Sequence, residues 1–319
     1  MQQSKSQVTV VGGAGFIGSH VSAHYLKKGY KVKILDNFSS GTEKHIASLP
    51  TGEFKVYRGD IAQTDLLDES LRGSVAVIHL AANPDISIAS KFPRVDFELG
   101  TLLTQEILDS MIRVSVPQIV YASGSGVYGE TDDKVFSEGD ATPSVVSTYG
   151  ASKLASEAMI SAYASLFGID GYIFRFGNVV GKFQTHGVVF DFLRRLQRDS
   201  ARLEVLGDGN QTKTYIHISD VLAGLDVLVR HGEMATGKVS TFNLSTEDAI
   251  SVRRIAQEVL SVLQLEKTEL AFGDSRYGWR GDVPFMRLDT SKARSYGWAS
   301  KLSSQEAVRR SIEEQISEQ

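Results

Sequence analysis

Two residues near the middle of the chain have the types and the spacing of a proton-transfer pair. Tyr149 and Lys153 are four positions apart in the segment Tyr-Gly-Ala-Ser-Lys, and residues with this spacing lie on one face of a helix. A free phenol has a pKa of about 10 and is a poor base at neutral pH, whereas a neighbouring ammonium favours the phenolate. If Lys153 and a positively charged nicotinamide lowered the tyrosine pKa by about 3 units, Tyr149 would accept a proton from a hydroxyl as hydride leaves the adjacent carbon. The alternative is a packed tyrosine beside an exposed lysine.

A second chemical signal lies at the start of the chain, where an apolar strand runs into Gly-Gly-Ala-Gly-Phe-Ile-Gly. Gly12 permits a tight turn, Gly15 lets the backbone approach a pyrophosphate, and Gly18 lets the next helix pack close to the sheet. The amides of Phe16 and Ile17 then lie at a helix N-terminus, where unpaired donors and the helix dipole favour phosphate oxygens. The position of the glycines, between a strand and a helix, therefore predicts a dinucleotide site.

The carboxylate of Asp36 at the end of the second strand indicates which dinucleotide binds. It can accept hydrogen bonds from both hydroxyls of an adenosine ribose, and it would repel a 2'-phosphate, which favours NAD over NADP. The alternative is that Asp36 only opens the turn that runs from Asn37 to Gly41. Asp60, after the third strand, lies at the same sheet edge and is predicted to bind the adenine, unless it only caps the next helix.

The elements around these residues predict an α/β fold, a Rossmann-type doubly wound parallel sheet with a smaller C-terminal α/β substrate domain. The pattern divides the chain into a dinucleotide-binding domain over 1–177 and a substrate domain over 178–319, with a boundary that is crossed more than once. The expected strands are 8–11, 31–35, 54–58, 75–79, 118–122 and 172–176. The expected helices are 16–27, 99–112, 149–167, 188–197, 221–229 and 252–263, with a closing helix from Ser303.

Composition restricts the classes of protein and site. The 319 residues contain no cysteine, which excludes disulfides and thiolate metal sites and favours a reducing compartment, the cytoplasm. The N-terminal segment has no signal-peptide core, and no stretch approaches the ~20 apolar residues that span a bilayer. A formal net charge of -4 gives little reason to bind nucleic acid. We therefore expect no metal site, no membrane and no nucleic-acid partner.

These residues together resemble the extended short-chain dehydrogenases/reductases, in particular the UDP-galactose (UDP-glucose) 4-epimerase-like branch of the NAD-dependent nucleotide-sugar epimerases and dehydratases. The resemblance covers nearly the whole chain. It implies bound NAD, a UDP-sugar substrate, epimerisation at the sugar C4 through a transient ketone with no net redox change, and a homodimer formed through the helices 99–112 and 149–167. The matching stretches are 12–18, 36–41, 79–83, 127–129, 149–153, 175–181, 207–211 and 281–284.

The resemblance also assigns site residues by position. The residues implied to bind NAD, besides those named above, are Asn37, Ser39, Gly41, Ile61, Leu80, Ala81 and Ala82, with Tyr149 and Lys153 at the nicotinamide end. The residues implied to hold the sugar nucleotide are Asn178, His186, Gly187, Val188, Lys213, Tyr215 and Arg280. Relatives usually place the diphosphate arginine at the position of Trp279, so Arg276 is a second candidate for the role of Arg280.

Two positions depart from the pattern of these relatives. The family's catalytic serine or threonine, three residues before the Val-Tyr-Gly segment, is replaced by Gly124. A strand's alternation points Ser123 and Ser125 away from the usual direction, but the flanking glycines would let the chain bulge and re-aim one of them. We predict Ser125 as the replacement, with a bound water as the alternative. An asparagine that often precedes the helix at Gly100 is replaced by Phe97.

The resemblance leaves the reaction open between several outcomes. Related dehydratases carry Asp-Glu directly after the catalytic hydroxyl, and without such a carboxylate elimination of water lacks its acid and base. Ser125 and Gly126 stand there instead, which favours epimerisation over dehydration or reduction. A third possibility is a protein that binds NAD and a nucleotide sugar but has lost turnover, as the departures at Gly124 and Phe97 would allow. The sequence does not name the sugar or the pathway.

Overall fold

Strands and helices alternate through the first half of the chain, as the β-branched runs and helical stretches predict. The structure is a computed structural model that describes residues 6–130, 133–142, 144–231 and 237–317. The first-half elements are β1 (Gln7–Val11), α1 (Phe16–Lys27), β2 (Lys31–Asp36), α2 (Glu43–Ala47), β3 (Phe54–Arg58), α3 (Thr64–Leu71), β4 (Ala76–His79), α4 (Leu103–Val114), β5 (Gln118–Gly124), β6 (Val135–Phe136), α5 (Thr148–Phe167) and β7 (Asp170–Phe176). The predicted helix 16–27 and strand 54–58 are confirmed to the residue, and the other predicted strands agree within two residues at each end.

Shorter strands and longer connections follow in the second half. Its elements are β8 (Asn178–Val180), α6 (Val188–Arg198), β9 (Arg202–Val205), β10 (Thr212–Lys213), β11 (Tyr215–His217), α7 (Ile218–His231), β12 (Val239–Leu244), β13 (Ile250–Ser251), α8 (Val252–Leu263), β14 (Glu269–Phe272), β15 (Phe285–Leu288), α9 (Ser291–Ser295) and α10 (Ser304–Ile316). The side chain of Ser303 accepts a hydrogen bond from the amide of Glu306 and so begins the closing helix α10. Within the described residues, no helix has the length and apolar character needed to cross a membrane.

Seven strands form the central sheet, in the order β12-β7-β5-β4-β1-β2-β3, and every neighbouring pair is parallel. The strand order reverses between β1 and β4. In an open parallel sheet, ligands bind outside the carboxyl ends of the strands at such a reversal. The Rossmann-type fold is confirmed, and β12 brings a strand from the second half of the chain into this sheet.

Alternate residues of the strands face opposite sides of the sheet, and both faces are covered by helices. Val10 of β1 packs on the side of α1 and α7, in a cluster with Val21 and Leu225. The next residue, Val11, packs on the side of α3, α4 and α5, in a cluster with Leu108. A separate apolar cluster joins α6, α8 and α10. Helices on both faces therefore hold the carboxyl ends of the central strands in a fixed arrangement.

The predicted helix 99–112 is wrong in one respect, because its first part is a π-helical segment, Phe97–Leu102, that precedes α4. The hydroxyl of Ser152 on α5 accepts a hydrogen bond from the amide of Thr101 at 3.0 Å and donates one to the carbonyl of Asp96 at 2.6 Å. A side chain that inserts into the hydrogen-bond ladder in this way widens the helix. The widened turn leaves Phe97 half exposed and buries Asp96.

Candidate functional site

The glycine loop lies at the carboxyl end of β1, directly beside the residues that follow β4. The carbonyl of Val11 accepts hydrogen bonds from the amides of Leu80 and Ala81, at 2.9 and 3.1 Å. Gly12 has a φ of 80°, and a Cβ built on it would lie 2.8 Å from the amide nitrogen of Ala81. A Cβ on Gly18 would overlap the carbonyl oxygen of Gly12. Only glycine fits these two positions, so the loop packs tightly against the sheet.

Helix α1 begins directly after this loop, at the point where a phosphate is expected. Its N-cap is Gly15, which has no side chain, and the first turn contains Phe16 and Ile17. The first amides of a helix have no partner inside the helix. The loop and the helix start thus offer backbone donors to an anion, which fits the pyrophosphate of a dinucleotide.

Asp36 is buried at the end of β2, and both of its carboxylate oxygens hold backbone. Oδ2 accepts a hydrogen bond from the amide of Ala14 in the glycine loop, and Oδ1 accepts one from the amide of Phe38, each at 2.8 Å. The carboxylate therefore joins the glycine loop to the turn after β2. Each oxygen can accept further hydrogen bonds, so this structural role is compatible with the predicted contact to the ribose hydroxyls.

The other residues predicted to bind NAD lie in the segments that follow β2, β3 and β4. Asn37 donates a hydrogen bond to Oδ2 of Asp60 at 3.0 Å, and its own oxygen accepts one from the amide of Ser39. Asp60 is not the cap of α3, because the N-cap of that helix is Gln63. A Cβ on Gly41 would come within 2.7 Å of the Ala14 side chain. Ile61 is buried in the apolar cluster under this edge of the sheet, and Leu80, Ala81 and Ala82 are partly buried beside the glycine loop.

Tyr149 and Lys153 lie in the first two turns of α5, as predicted. The helix begins where the side chain of Ser147 accepts a hydrogen bond from the amide of Gly150. Lys153 is only 4% exposed, and its Nζ donates a hydrogen bond to the carbonyl of Ala122 on β5 at 2.7 Å. The same nitrogen is 5.5 Å from the centre of the Tyr149 ring and 4.9 Å from that of Tyr121. Both side chains thus face the carboxyl end of β5.

Burial affects the pKa of both members of this pair. Burial raises the pKa of Tyr149 to about 12, and the negative charge of Asp96 adds to the increase. Burial lowers the pKa of Lys153 to about 8, against the opposing influence of Glu157 and Asp96. In the protein by itself, burial therefore disfavours the charged form of both side chains. Any decrease in the pKa of Tyr149 must come from charges that arrive with the ligands.

Ser123, Gly124 and Ser125, the three positions around the missing hydroxyl, have different surroundings. Ser123 is buried and donates a hydrogen bond to buried Glu157 at 2.5 Å. Gly124 has extended backbone, and a Cβ built there would meet no heavy atom within 4 Å among the described residues. Ser125 begins a short 3-10 helix, Ser125–Tyr128, in which a Cβ on Gly126 would lie 3.8 Å from the Tyr149 ring. Because Ser123 is bonded to Glu157, Ser125 remains the candidate for the missing hydroxyl. The space at Gly124 is open.

Two polar residues near Tyr149, Asp96 and its partner Asn83, were missed by sequence reasoning. Asp96 is buried and accepts hydrogen bonds from Asn83 at 2.9 Å and from Thr148 at 2.6 Å. Asn83 belongs to the stretch after β4, and Thr148 directly precedes Tyr149. The only signal in the sequence was an acidic residue just before a predicted helix, where carboxylates are common for other reasons.

The residues expected to hold the sugar and its nucleotide come from three segments of the second half. Asn178 begins β8, and its side-chain amide donates a hydrogen bond to the carbonyl of Thr214 at 3.1 Å. His186 is exposed, Gly187 is the N-cap of α6 and Val188 is the first residue of that helix. Tyr215 is buried in the apolar cluster of the second half, which leaves its predicted contact with the nucleotide a prediction.

Lys213 lies beside a cavity of about 640 Å³, lined by Glu130, Val146, Tyr277, Trp279, Arg280 and Asp282 among others. Its Nζ is 2.5 Å from a carboxylate oxygen of buried Asp282 and 4.9 Å from the centre of the Trp279 ring. Arg280 is exposed and lines the cavity, whereas Arg276 lies 3.8 Å from Glu130 at its edge. Of the two arginine candidates, Arg280 is thus the one that faces the cavity directly.

Comparisons with known proteins identify the family of the chain. The model of the NAD dependent epimerase/dehydratase family matches residues 8–244. A putative UDP-glucose 4-epimerase of Methanocaldococcus jannaschii is 32% identical over 316 residues, which cover 96% of this chain and 97% of that protein.

Solved structures of similar proteins cover the same length. The crystal structure of a UDP-galactose 4-epimerase is 32% identical, with a TM-score of 0.87 over 98% of this chain and 99% of that one. MoeE5, solved with UDP-glucuronic acid and NAD, is 27% identical, with a TM-score of 0.86 over 98% of this chain and 100% of that one. The chain belongs to the NAD-dependent epimerase/dehydratase family, as a UDP-glucose 4-epimerase-like extended short-chain dehydrogenase/reductase with NAD as its cofactor.

Proposed function

We propose that this protein epimerises a UDP-hexose at C4, with UDP-glucose and UDP-galactose or their N-acetyl forms as substrates and a transient 4-keto sugar as intermediate. The observation that carries the proposal is the placement of Tyr149 and Lys153 on one face of α5, at the same sheet edge as the glycine loop. When bound, NAD takes up hydride from the sugar C4 and gives it back. The chain's own residues position the sugar and move the proton of the 4-hydroxyl.

In this reaction Tyr149 accepts the proton of the sugar 4-hydroxyl and later returns it. The ammonium of Lys153, held by the carbonyl of Ala122 at 2.7 Å, supplies positive charge beside the phenol oxygen while the proton is away. Ser125 donates a hydrogen bond to the same sugar oxygen in place of the hydroxyl that Gly124 lacks. Because the ketone can be reduced on either face, the sugar must turn between the two transfers.

The sugar nucleotide is held by the second half of the chain in this proposal. Asn178 and the segment His186, Gly187 and Val188 hold the sugar nucleotide, Lys213 and Tyr215 lie near its nucleotide end, and Arg280 binds the diphosphate. The cavity beside Lys213 supports the last assignment, since Arg280 lines it. We assign 178–319, apart from α7 and β12, to the nucleotide-sugar domain, because α7 packs on the central sheet and β12 belongs to it.

Dehydration is the second candidate reaction, because the matched family includes dehydratases. Loss of water from a 4-keto sugar needs an acid and a base near C5 and C6. The positions that follow Gly124 hold Ser125 and Gly126, neither of which has a carboxylate. A protein that binds both ligands without turnover is the third candidate, and the open space at Gly124 is the observation that favours it.

Incubation of the purified protein with the four UDP-sugars, without added reductant, separates these candidates. Epimerisation interconverts each pair with no change in mass, whereas dehydration lowers the mass by one water. Tyr149→Phe is the negative control, and Tyr163→Phe is a matched control because Tyr163 lies on the same helix and bonds to Asp109. Failure with all four sugars would remove the proposal, and tight NAD binding without turnover would favour the third candidate.

A homodimer formed through α4 and α5 is the proposed assembly. Large apolar side chains are exposed along this pair of helices and the π-helical segment before it, among them Phe97, Leu102, Leu166 and Phe167. Exposed apolar surface on these helices supports an interface there. Sedimentation equilibrium should give twice the chain mass, and Leu166→Glu should give monomers while Phe54→Glu, at a distant strand, does not. The cytoplasmic location expected from the sequence stays a prediction.

A further inference from the structure

A third polar side chain lies on the face of α5 that carries Tyr149 and Lys153. Glu157 follows Lys153 by four residues, as Lys153 follows Tyr149, so the three side chains are stacked along one face of the helix. Glu157 is 5% exposed. An ionised carboxylate is costly to bury unless it is paired and hydrogen-bonded, so its partners show what it holds in place.

Two neighbouring strands provide the partners of Glu157. Arg175 on β7 donates from Nε to Oε1 at 3.0 Å and from Nη2 to Oε2 at 2.6 Å, which is a bidentate ion pair. Ser123 on β5 donates its hydroxyl to Oε1 at 2.5 Å. Because Ser123 directly precedes Gly124, the carboxylate joins the catalytic helix to the strand end where the family hydroxyl is missing.

The same arginine extends the connection to the 3-10 helix Ser125–Tyr128. Its Nη1 donates to the hydroxyl of Tyr128 at 3.1 Å and to the carbonyl of Glu138 at 2.7 Å. Tyr128 in turn donates to Oδ1 of Asn243 on β12 at 2.5 Å. Ser125 is therefore held between two residues, Ser123 and Tyr128, that both belong to the network of Glu157 and Arg175.

The charge of Glu157 also acts on Lys153, one helical turn away. The groups that face Lys153 are Tyr149 and Glu157 from α5, Tyr121 from β5, His79 from β4 and Asp96 from the turn before the π-helical segment. Burial lowers the pKa of Lys153, and Glu157 and Asp96 are the carboxylates that oppose this effect. Removing the charge of Glu157 would also leave the buried cation of Arg175 without its counterion.

We propose that Glu157 is a positioning residue for the reaction at Tyr149: through Ser123 and Arg175 it fixes the segment of Ser125 against α5, and it places a carboxylate one helical turn from Lys153. The inference rests on the proposed function only for its kinetic consequences. The charge state of Lys153 and the geometry of the segment are properties of the chain itself.

Glu157→Gln tests the electrostatic part, because it removes the charge and keeps the shape. Glu258→Gln is the matched control: Glu258 is equally buried and pairs with Arg254 and Arg309, but it lies on α8. In Glu157→Gln we expect Lys153 to titrate about one pH unit lower than in the unchanged protein. Above a pH of about 8, kcat/KM should then fall about tenfold relative to the unchanged protein. Glu157→Asp should return the titration toward that of the unchanged protein.

The titration of Lys153 is measured by NMR of protein with isotopically labelled lysine, with Lys153→Met to assign the signal. This readout needs no turnover, so it stays informative if the proposed reaction is wrong. An unchanged titration in Glu157→Gln, or an equal shift in Glu258→Gln, would overturn the inference. If Glu157→Gln does not fold, Glu157→Gln combined with Arg175→Met removes both charges, and the same downward shift is expected because Glu157 is a charge that raises the pKa of Lys153.

Discussion

The side-chain nitrogen of Lys153 lies 5.5 Å from the centre of the Tyr149 ring, and Lys153 is buried whereas Tyr149 is partly buried. In the protein by itself burial raises the pKa of Tyr149 to about 12 and lowers that of Lys153 to about 8. As the pH increases, Lys153 therefore loses its proton before Tyr149 does. The phenolate must form while the lysine is still charged, which restricts the pH range of the reaction.

The pH dependence of turnover should show this restriction. Above a pH of about 8, Lys153 is increasingly a neutral amine, so the phenolate loses its neighbouring cation and kcat/KM should fall as the pH rises. The pKa of this group in the enzyme without sugar substrate is read from the dependence of kcat/KM on pH, measured with saturating NAD. In Lys153→Arg the side chain stays charged, so the decrease at high pH should move upward by more than one unit even if the maximal rate is lower. An identical alkaline limb in that variant would show that another group titrates there.

Ser125 and Gly124 give a prediction with a built-in rescue. Ser125→Ala should lower kcat by about 10² if its hydroxyl bonds to the sugar oxygen, the loss typical for one such donor. Because a Cβ on Gly124 would meet no heavy atom within 4 Å among the described residues, Gly124→Ser should fold normally and restore most of the rate in the Ser125→Ala background. Steady-state rates of all variants are compared with Ser161→Ala, an exposed serine on α5.

A different outcome at Ser125 would also be informative. Full activity of Ser125→Ala would contradict its role and favour a bound water as the hydrogen-bond donor. In that case Gly124→Ser should lower the rate, since its hydroxyl would displace the water.

The central sheet and the glycine loop could be predicted from sequence because their signals are local. Strands β1 and β2 are short apolar runs, and the Gly12 to Gly18 spacing lies between a strand and a helix, so each prediction needed only neighbouring residues. The position of Tyr149 and Lys153 on α5 followed from helical spacing for the same reason.

The rest of the site depended on contacts between distant segments. The π-helical segment exists because Ser152 bonds to Asp96 and Thr101, residues more than fifty positions earlier. The pKa of Tyr149 depends on burial under several elements, and no spacing reports burial. The ion pair of Glu157 with Arg175 joins a helix and a strand, and no local pattern in either segment predicts that contact.

The glycine loop predicts a separation between folding and cofactor binding. A Cβ on Gly15 would lie 3.3 Å from the carbonyl of Gly12, which a small shift relieves, whereas one on Gly18 would overlap that oxygen. Gly15→Ala should therefore fold with a nearly normal melting temperature but bind NAD at least about tenfold more weakly, because the methyl group occupies the approach of the pyrophosphate. Gly18→Ala should lower the melting temperature itself. Gly139→Ala, where a Cβ meets nothing within 4 Å in the described structure, is the control for both measurements, made by calorimetry.

The preference for NAD over NADP should depend on Asp36 and on the neighbouring cation Arg58, which is paired with Glu43. Arg58 on β3 is the direct neighbour of Asp36 in the sheet, and its guanidinium is bonded to Glu43. A 2'-phosphate would meet the carboxylate of Asp36, and like charges at such a distance cost several kcal/mol. Asp36→Asn should therefore reduce the discrimination against NADP by at least about tenfold, measured as the ratio of the two dissociation constants.

Adding Glu43→Gln to Asp36→Asn should strengthen NADP binding further, because Arg58 is then released to pair with the phosphate. The affinity for NAD should differ little between Asp36→Asn and the double variant, since NAD has no 2'-phosphate. Glu53→Gln, which removes a carboxylate paired with Lys31 at the surface, is the control for a general change in charge. If Glu53→Gln and Glu43→Gln had equal effects in the Asp36→Asn background, the result would reflect net charge rather than the position of Arg58.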